Sequence, residues 1–155
     1  MRLASFLIAL LVPSLPALGQ EVVDGDTIKL GGATYRLHGI DAPELTQSCA
    51  DGWPAGREAS RHLQGLMIGR SISCERVSLD RYGRTVALCR ADGVDLGALM
   101  VAAGQAWAFT RYSTVYVSLE EEARSSGLGV HGRQCTPAWL FRAGRYERST
   151  PRNTR

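Results

Sequence analysis

No Cys-x-x-Cys pair occurs in this chain, no apolar run approaches the roughly 20 residues that cross a bilayer, and lysine is present once, at Lys29. The first absence argues against a zinc-type cysteine site. The second excludes a spanning helix, since the apolar run Phe6 to Val12 is short and Pro13 and Pro16 follow it. The third leaves 17 arginines as nearly all the basic charge, and a planar guanidinium forks onto phosphate better than an ammonium does. Genome composition gives the same bias, so little rests on it. His38, His62 and His131 are scattered, form no ligand cluster, and read as structural or solvated.

Basic charge is also missing from the body of the chain. The formal total is +3, but Arg142 to Arg155 holds five arginines against Glu147, whereas residues 20–141 carry 12 basic and 14 acidic groups, a net of −2. The body therefore has no excess of positive charge with which to absorb a polyanion. It would have to meet one with a few placed arginines and a cation. Residues 142–155, rich in Arg, Ser, Thr and Asn, read as a basic disordered tail.

What is present begins with a leader. Arg2, the apolar run, and the small residues Ala17 and Gly19 mark residues 1–19 as a signal peptide cleaved after Gly19, with no cysteine nearby for a lipid anchor. The expectation is an exported protein, secreted or periplasmic, with no membrane association after cleavage. Cys49, Cys74, Cys89 and Cys135 form an even set suited to an oxidising compartment and to two disulfides, the alternative being free buried thiols. Ile72 to Val77 and Thr85 to Arg90 read as strands around Asp80-Arg81-Tyr82-Gly83, which sets Cys74 opposite Cys89 and leaves Cys49 with Cys135.

At 155 residues and 45% apolar, the chain has material for one ordinary domain, and neither a repeat nor an interdomain linker interrupts residues 20–141. Thr27 to Leu30 and Thr34 to Leu37 flank Gly31-Gly32, a hairpin signal. Arg57 to Ile68 has helical apolar spacing ended by Gly69. Val94 to Ala103 reads as a short helix closed by Gly104, Gln105 to Thr110 as a strand, and Val115 to Ser126 as a helix closed by Gly127. Some five short strands with interspersed helices predict an α+β, mainly β fold, a small closed barrel with helical padding.

Four stretches carry chemistry: Asp24-Gly25-Asp26-Thr27, Tyr35-Arg36-Leu37, Asp41-Ala42-Pro43-Glu44 and Asp80-Arg81-Tyr82-Gly83-Arg84. Taken singly, the Asp-Gly clusters read as turns. Taken together, in this order and at these separations, they resemble the staphylococcal nuclease (thermonuclease) family over about residues 21–133. The resemblance implies an OB-fold five-stranded barrel with about three helices, dependence on Ca2+, and endonuclease-type hydrolysis of DNA and RNA by a monomer. It implies Asp26 and Asp41 as metal ligands with the Ala42 carbonyl, and Arg36, Glu44 and Arg84 as the catalytic set. Ala42 stands where threonine is more familiar, and His131 where tryptophan is frequent. Related secreted members often carry a cysteine near Ala55, which leaves the partner of Cys49 open.

The residue types suit that chemistry on their own. Two carboxylates and a carbonyl suit a hard divalent ion while leaving positions for water and a phosphate oxygen. Glu44 is placed to orient water or take its proton, and Arg36 and Arg84 can fork onto non-bridging oxygens. Arg81 and Tyr82 are expected to touch a neighbouring phosphate or sugar, and Tyr112 to stack on a base. Two other readings exist: a catalytically weak OB-fold module that binds nucleic acid or protein without cutting, and a secreted, disulfide-stapled interaction protein. A two-residue Gly31-Gly32 turn would put Arg36 opposite Thr27 and leave Asp26 facing away. For Asp26 and Arg36 to meet, the sequence therefore demands a bulged three-residue loop or an Asp26 just outside the ladder.

Overall fold

The computed structural model describes residues 19–149, and side chains in the last helix as far as Gly144. The segment expected to be a signal peptide lies outside the described residues except for Gly19, and the first strand, β1 (Gln20–Asp24), begins directly after the expected cleavage point. β1 pairs antiparallel with β2 (Thr27–Leu30), and β2 with β3 (Ala33–Leu37). The β2–β3 turn is the two-residue kind: Gly31 and Gly32 have φ of +57° and +83°, both in the region that glycine occupies without cost. Leu30 pairs with Ala33 and Thr27 with Arg36. No bulge interrupts this pair. It lies instead in the neighbouring one, between Val22 and Asp24 of β1, and Asp26 stands one residue before β2.

β4 (Ile40–Asp41) is followed by a long loop and α1 (Ala55–Met67). The helix starts directly after Pro54, two residues earlier than the periodicity suggests, and buries Ala55, Ala59, Leu63 and Met67, one row at four-residue spacing. β5 (Ile72–Leu79) and β6 (Thr85–Ala91) form the second hairpin, with Cys74 opposite Cys89. β6 also pairs in parallel with β3, aligning Val86 with Arg36. β7 (Val94–Asp95) pairs with β6 and delays α2 (Leu96–Ala102), whose first turn is capped by the Asp95 carboxylate through the N–H groups of Gly97 (2.8 Å) and Ala98 (3.3 Å). The expected strand over 105–110 is reduced to β8 (Trp107–Ala108), paired with β4, before α3 (Val117–Ser125) and α4 (Ala138–Ser149).

The result is α+β and mainly β, consistent with the OB-fold, with two differences from expectation. The sheet order is β1-β2-β3-β6-β5 with β7 beside β6, and β4-β8 forms a separate two-stranded sheet, so the barrel is not closed. There are four helices among the described residues, not three, because residues 138–149 are helical. Residues 142–149 are therefore corrected from disordered tail to the body of α4. Composition misled here: arginines dominate after Phe141, but the helix is anchored ahead of them by buried Ala138 and by Trp139, which packs in a small cluster with Trp107, Val130 and Trp53.

The main core is built from Ile28, Leu37, Ile40, Leu63, Leu96 and Met100. Both disulfides are present, Cys74–Cys89 across the hairpin and Cys49–Cys135 between the loop before α1 and the approach to α4. Gly56 decides how closely α1 approaches the loop beneath it, since a Cβ there would land on the Glu44 carbonyl. Gly65, on the exposed side of the same helix, has open space around it. By urea unfolding, Gly65→Ala is expected to stabilise the protein by about 0.5–1 kcal/mol through helix propensity. Gly56→Ala is expected to cost at least about 2 kcal/mol through the clash. Equal effects of the two would refute this packing of α1.

Candidate active site

Two separate segments deliver carboxylates to one guanidinium. The Asp24 carboxylate accepts from the Asp26 N–H (3.1 Å), tightening the turn after β1. Gly25 lets that turn rest on Ala42 and Ala59, where any Cβ would sit within 2.7 Å of their methyl groups. This close approach brings the Asp26 carboxylate onto the Ala42 N–H (3.0 Å), and the Thr27 hydroxyl donates to its other oxygen (3.0 Å). Arg36, on β3, donates through Nη1 to Asp26 and through Nη2 to Asp41, both at 2.7 Å. The predicted quartet of Asp26, Arg36, Asp41 and Ala42 is thus one hydrogen-bonded unit.

Its electrostatics follow from burial. Asp26 is 3% exposed and Asp41 fully buried. Desolvation pushes the Asp26 carboxyl up to about 7, while Arg36 and the Ala42 N–H pull the other way. Burial works against the charge of Arg36, but the two carboxylates hold its pKa above the ordinary arginine value.

Glu44 joins the unit through a residue that the sequence reading passed over. Arg142, on α4, donates from Nη1 to Asp41 (3.2 Å) and Glu44 (2.7 Å) and from Nη2 to the second Asp41 oxygen (2.8 Å). Gln47, 1% exposed, was also missed. Its Oε1 accepts from the Glu44 N–H (3.2 Å) and its Nε2 donates to the Thr136 carbonyl (2.6 Å), tying the Glu44 loop to the approach of α4. Its position three residues beyond Glu44 was the available signal. For Arg142 the signal was Trp139, one helical turn earlier.

The remaining candidates stand apart from this unit. Arg84 precedes β6, two residues before Val86, the partner of Arg36. Its Nε donates to Asp80 (2.7 Å), which also accepts from the N–H groups of Tyr82 and Arg84 and so shapes the turn. Arg81 lies 4.8 Å from the Tyr82 ring centre and Arg84 5.6 Å, a cation–π arrangement on an exposed tyrosine. Tyr112 is exposed and packs edge-on against Phe109 at 5.2 Å, and Phe109 stacks on Trp139.

A mainly β fold with an open OB-type sheet, buried acids bridged by arginine and, apart from them, an exposed arginine–tyrosine turn is the arrangement expected of the nuclease class that the four stretches resemble. Comparison with known sequences agrees. The family model described as "Staphylococcal nuclease homologue" matches residues 34–131, and the chain belongs to that family of nucleases. Its relatives include the "Succinoglycan biosynthesis protein ExoI" of Rhizobium meliloti (strain 1021), 37% identical over 141 residues, covering 86% of this chain and 74% of that protein. An "Uncharacterized endonuclease" of Escherichia coli O157:H7 is 33% identical over 130 residues, with 79% and 81% covered. The "Probable staphylococcal-like nuclease CAN1" of Oryza sativa subsp. japonica is 35% identical over 97 residues, with 61% and 28% covered. The family match contains Arg36, Asp41, Ala42, Glu44 and Arg84, while Asp26 and Arg142 lie outside it.

The raised Asp26 pKa has a defined consequence for stability. Because the folded value exceeds the unfolded one, the contribution of Asp26 is fully present below about pH 4 and is lost as pH rises through about 7. In chelator-treated protein, thermal melts should therefore show the parent losing stability relative to Asp26→Asn across that interval. A difference independent of pH would show that Asp26 is ionised throughout.

Proposed function

We propose that the protein is an exported, secreted or periplasmic, calcium-dependent nuclease that acts as a monomer on phosphodiester bonds of DNA and RNA. The observation that carries the reading is the pair of buried carboxylates, Asp26 and Asp41, drawn from different segments onto one guanidinium at 2.7 Å each. Such convergence of charge is expensive to bury and points to a site rather than to a scaffold. Exposed Tyr82 and the two disulfides are compatible with an extracytoplasmic enzyme, and no described helix is long and apolar enough to cross a membrane.

Two carboxylates and a carbonyl are donor types suited to a hard cation, although no group of three or more His, Cys, Asp or Glu side chains is gathered as a metal site among the described residues. Asp26 and Asp41 present carboxylate oxygens beside the backbone of Ala42, so these two side chains and the Ala42 carbonyl would hold calcium. When bound there, the ion would supply Lewis-acid polarisation of a phosphate oxygen.

The chain's own groups do the rest. Glu44 takes a proton from the attacking water or orients it, from a loop fixed by Gln47. Arg36 spends two of its five N–H donors on Asp26 and Asp41, leaving three for a non-bridging oxygen. Arg84 engages Asp80 through Nε, so its terminal nitrogens remain to grip the same phosphate and stabilise the phosphorane-like transition state. Neither arginine serves as a proton donor, because guanidinium stays charged in proteins. Arg81 and Tyr82 would contact the flanking backbone and Tyr112 a base.

The test is cleavage of single- and double-stranded DNA and RNA with calcium or a chelator. Glu44→Gln and Arg84→Ala should each lower the rate by roughly 10²-fold or more while leaving the fold intact, and chelation should abolish cutting. Undiminished cutting by either variant would overturn its role. Binding of oligonucleotide by the parent with no cutting in calcium would establish the binding-module reading in its place.

A further inference from the structure

The last helix places a positive charge where the proposed metal site needs its ligands free. Arg142 is 39% exposed in its side chain, yet its fork spans both oxygens of fully buried Asp41, at 2.8 and 3.2 Å, and reaches Glu44 at 2.7 Å. Asp41 Oδ1 thereby accepts from both Arg36 and Arg142, which fills its two lone-pair directions. Burial opposes the charge of Arg142, but Asp41 and Glu44 hold its pKa above the ordinary arginine value.

This contact is not the accident of a loose end. Trp139 stacks on Phe109 (5.7 Å between ring centres, 19° between planes) and meets Trp107 edge-on at 6.0 Å. Ala138 is fully buried, Gln47 holds the Thr136 carbonyl, and Cys135 is bonded to Cys49. Arg142 lies three residues after Trp139 and four after Ala138, so it shares their face of α4 and is aimed at the acids by a fixed root. The root does not depend on the Arg142 contact. The guanidinium can therefore leave by rotation about its own side-chain bonds while the helix stays docked.

The geometry points to Arg142 as a built-in, displaceable cation that, braced on Glu44, competes with calcium for Asp41 and so sets the metal affinity of the site. The inference rests on the calcium reading above. Two cations cannot share the same carboxylate oxygens at contact distance without mutual repulsion in a partly desolvated site. Linkage then requires that whatever Arg142 gains from the acids, calcium loses. With calcium absent, the same contact neutralises a buried carboxylate that would otherwise strain the fold.

The experiment is calorimetric titration of the full chain with calcium, paired with the calcium-induced shift in melting temperature. The variants are Arg142→Gln, Arg142→Lys and, as a charge-matched control, exposed Arg57→Gln. Arg142→Gln is expected to tighten the calcium dissociation constant roughly tenfold, with a larger calcium-induced rise in melting temperature. Arg142→Lys, which keeps the charge and loses the fork, should fall between it and the parent and serves if Arg142→Gln does not fold. Arg57→Gln should match the parent. Equal affinity in Arg142→Gln and the parent overturns the competition while leaving the calcium reading in place. Weaker binding overturns it by making Arg142 an organiser of the site. Absence of calcium binding from every form overturns both.

Discussion

Everything at the site depends on one guanidinium held between two carboxylates. Arg36 is the only described group bonded to both Asp26 and Asp41, and those residues come from a turn and a two-residue strand that no other pairing joins side by side. Burying three charges together is unfavourable unless each is satisfied, since the desolvation of an unpaired ion costs several kcal/mol. Here Thr27, the Ala42 N–H and Arg142 supply the remaining donors. The arrangement also explains small residues that carry no chemistry. Gly25 must lack a side chain for the Asp26 turn to reach Ala42, and Gly56 for α1 to pass the Glu44 carbonyl.

Rigidity and exposure are divided accordingly. Asp26 and Asp41 sit at 3% and 0% exposure against the core, whereas Tyr82 and Tyr112 are more than 60% exposed. Between these extremes, the loop bearing Glu44 is fastened at its far end by Gln47 and Cys49, both to the segment leading into α4. Cation–π contact of Arg133 with Trp53, and its ion pair with Asp51, extend the same seam. The loop is therefore positioned by side-chain chemistry where sheet hydrogen bonds run out.

Local signals made much of this legible in the sequence. Paired glycines fixed the β2–β3 register, and the second hairpin fixed Cys74 against Cys89, because each depends on a few adjacent residues. The order of the acid and arginine stretches named the family and the quartet around Arg36. What escaped were features decided over long separations. Of the two ways to bring Asp26 to Arg36, the structure takes the second, with Asp26 just outside the β2 ladder, while the bulge in β1, one strand pair away, had no local signal. The separation of β4 and β8 from the main sheet follows from strands of two residues, too short to show a period. The last helix was lost because helix formation there rests on Trp139 stacking against Phe109, 30 residues earlier, and not on its arginine-rich composition.

The distribution of charge ties these points together. Residues 20–141 carry a net −2, so long-range attraction of a polyanion cannot come from the body as a whole. In the proposed reading, recognition would be short-range, made by guanidinium groups whose partners already orient them: Arg36 by two buried acids, Arg84 by Asp80. An arginine anchored in this way loses little rotamer entropy on meeting a phosphate and cannot be drawn off by solvent counterions as easily as a free surface charge. The same acids that orient Arg36 also attract any other cation, which is why a guanidinium from α4 is found among them. A site assembled from opposed charges is in this sense self-poising: the acids orient the arginines, and Arg36 keeps the two buried acids together.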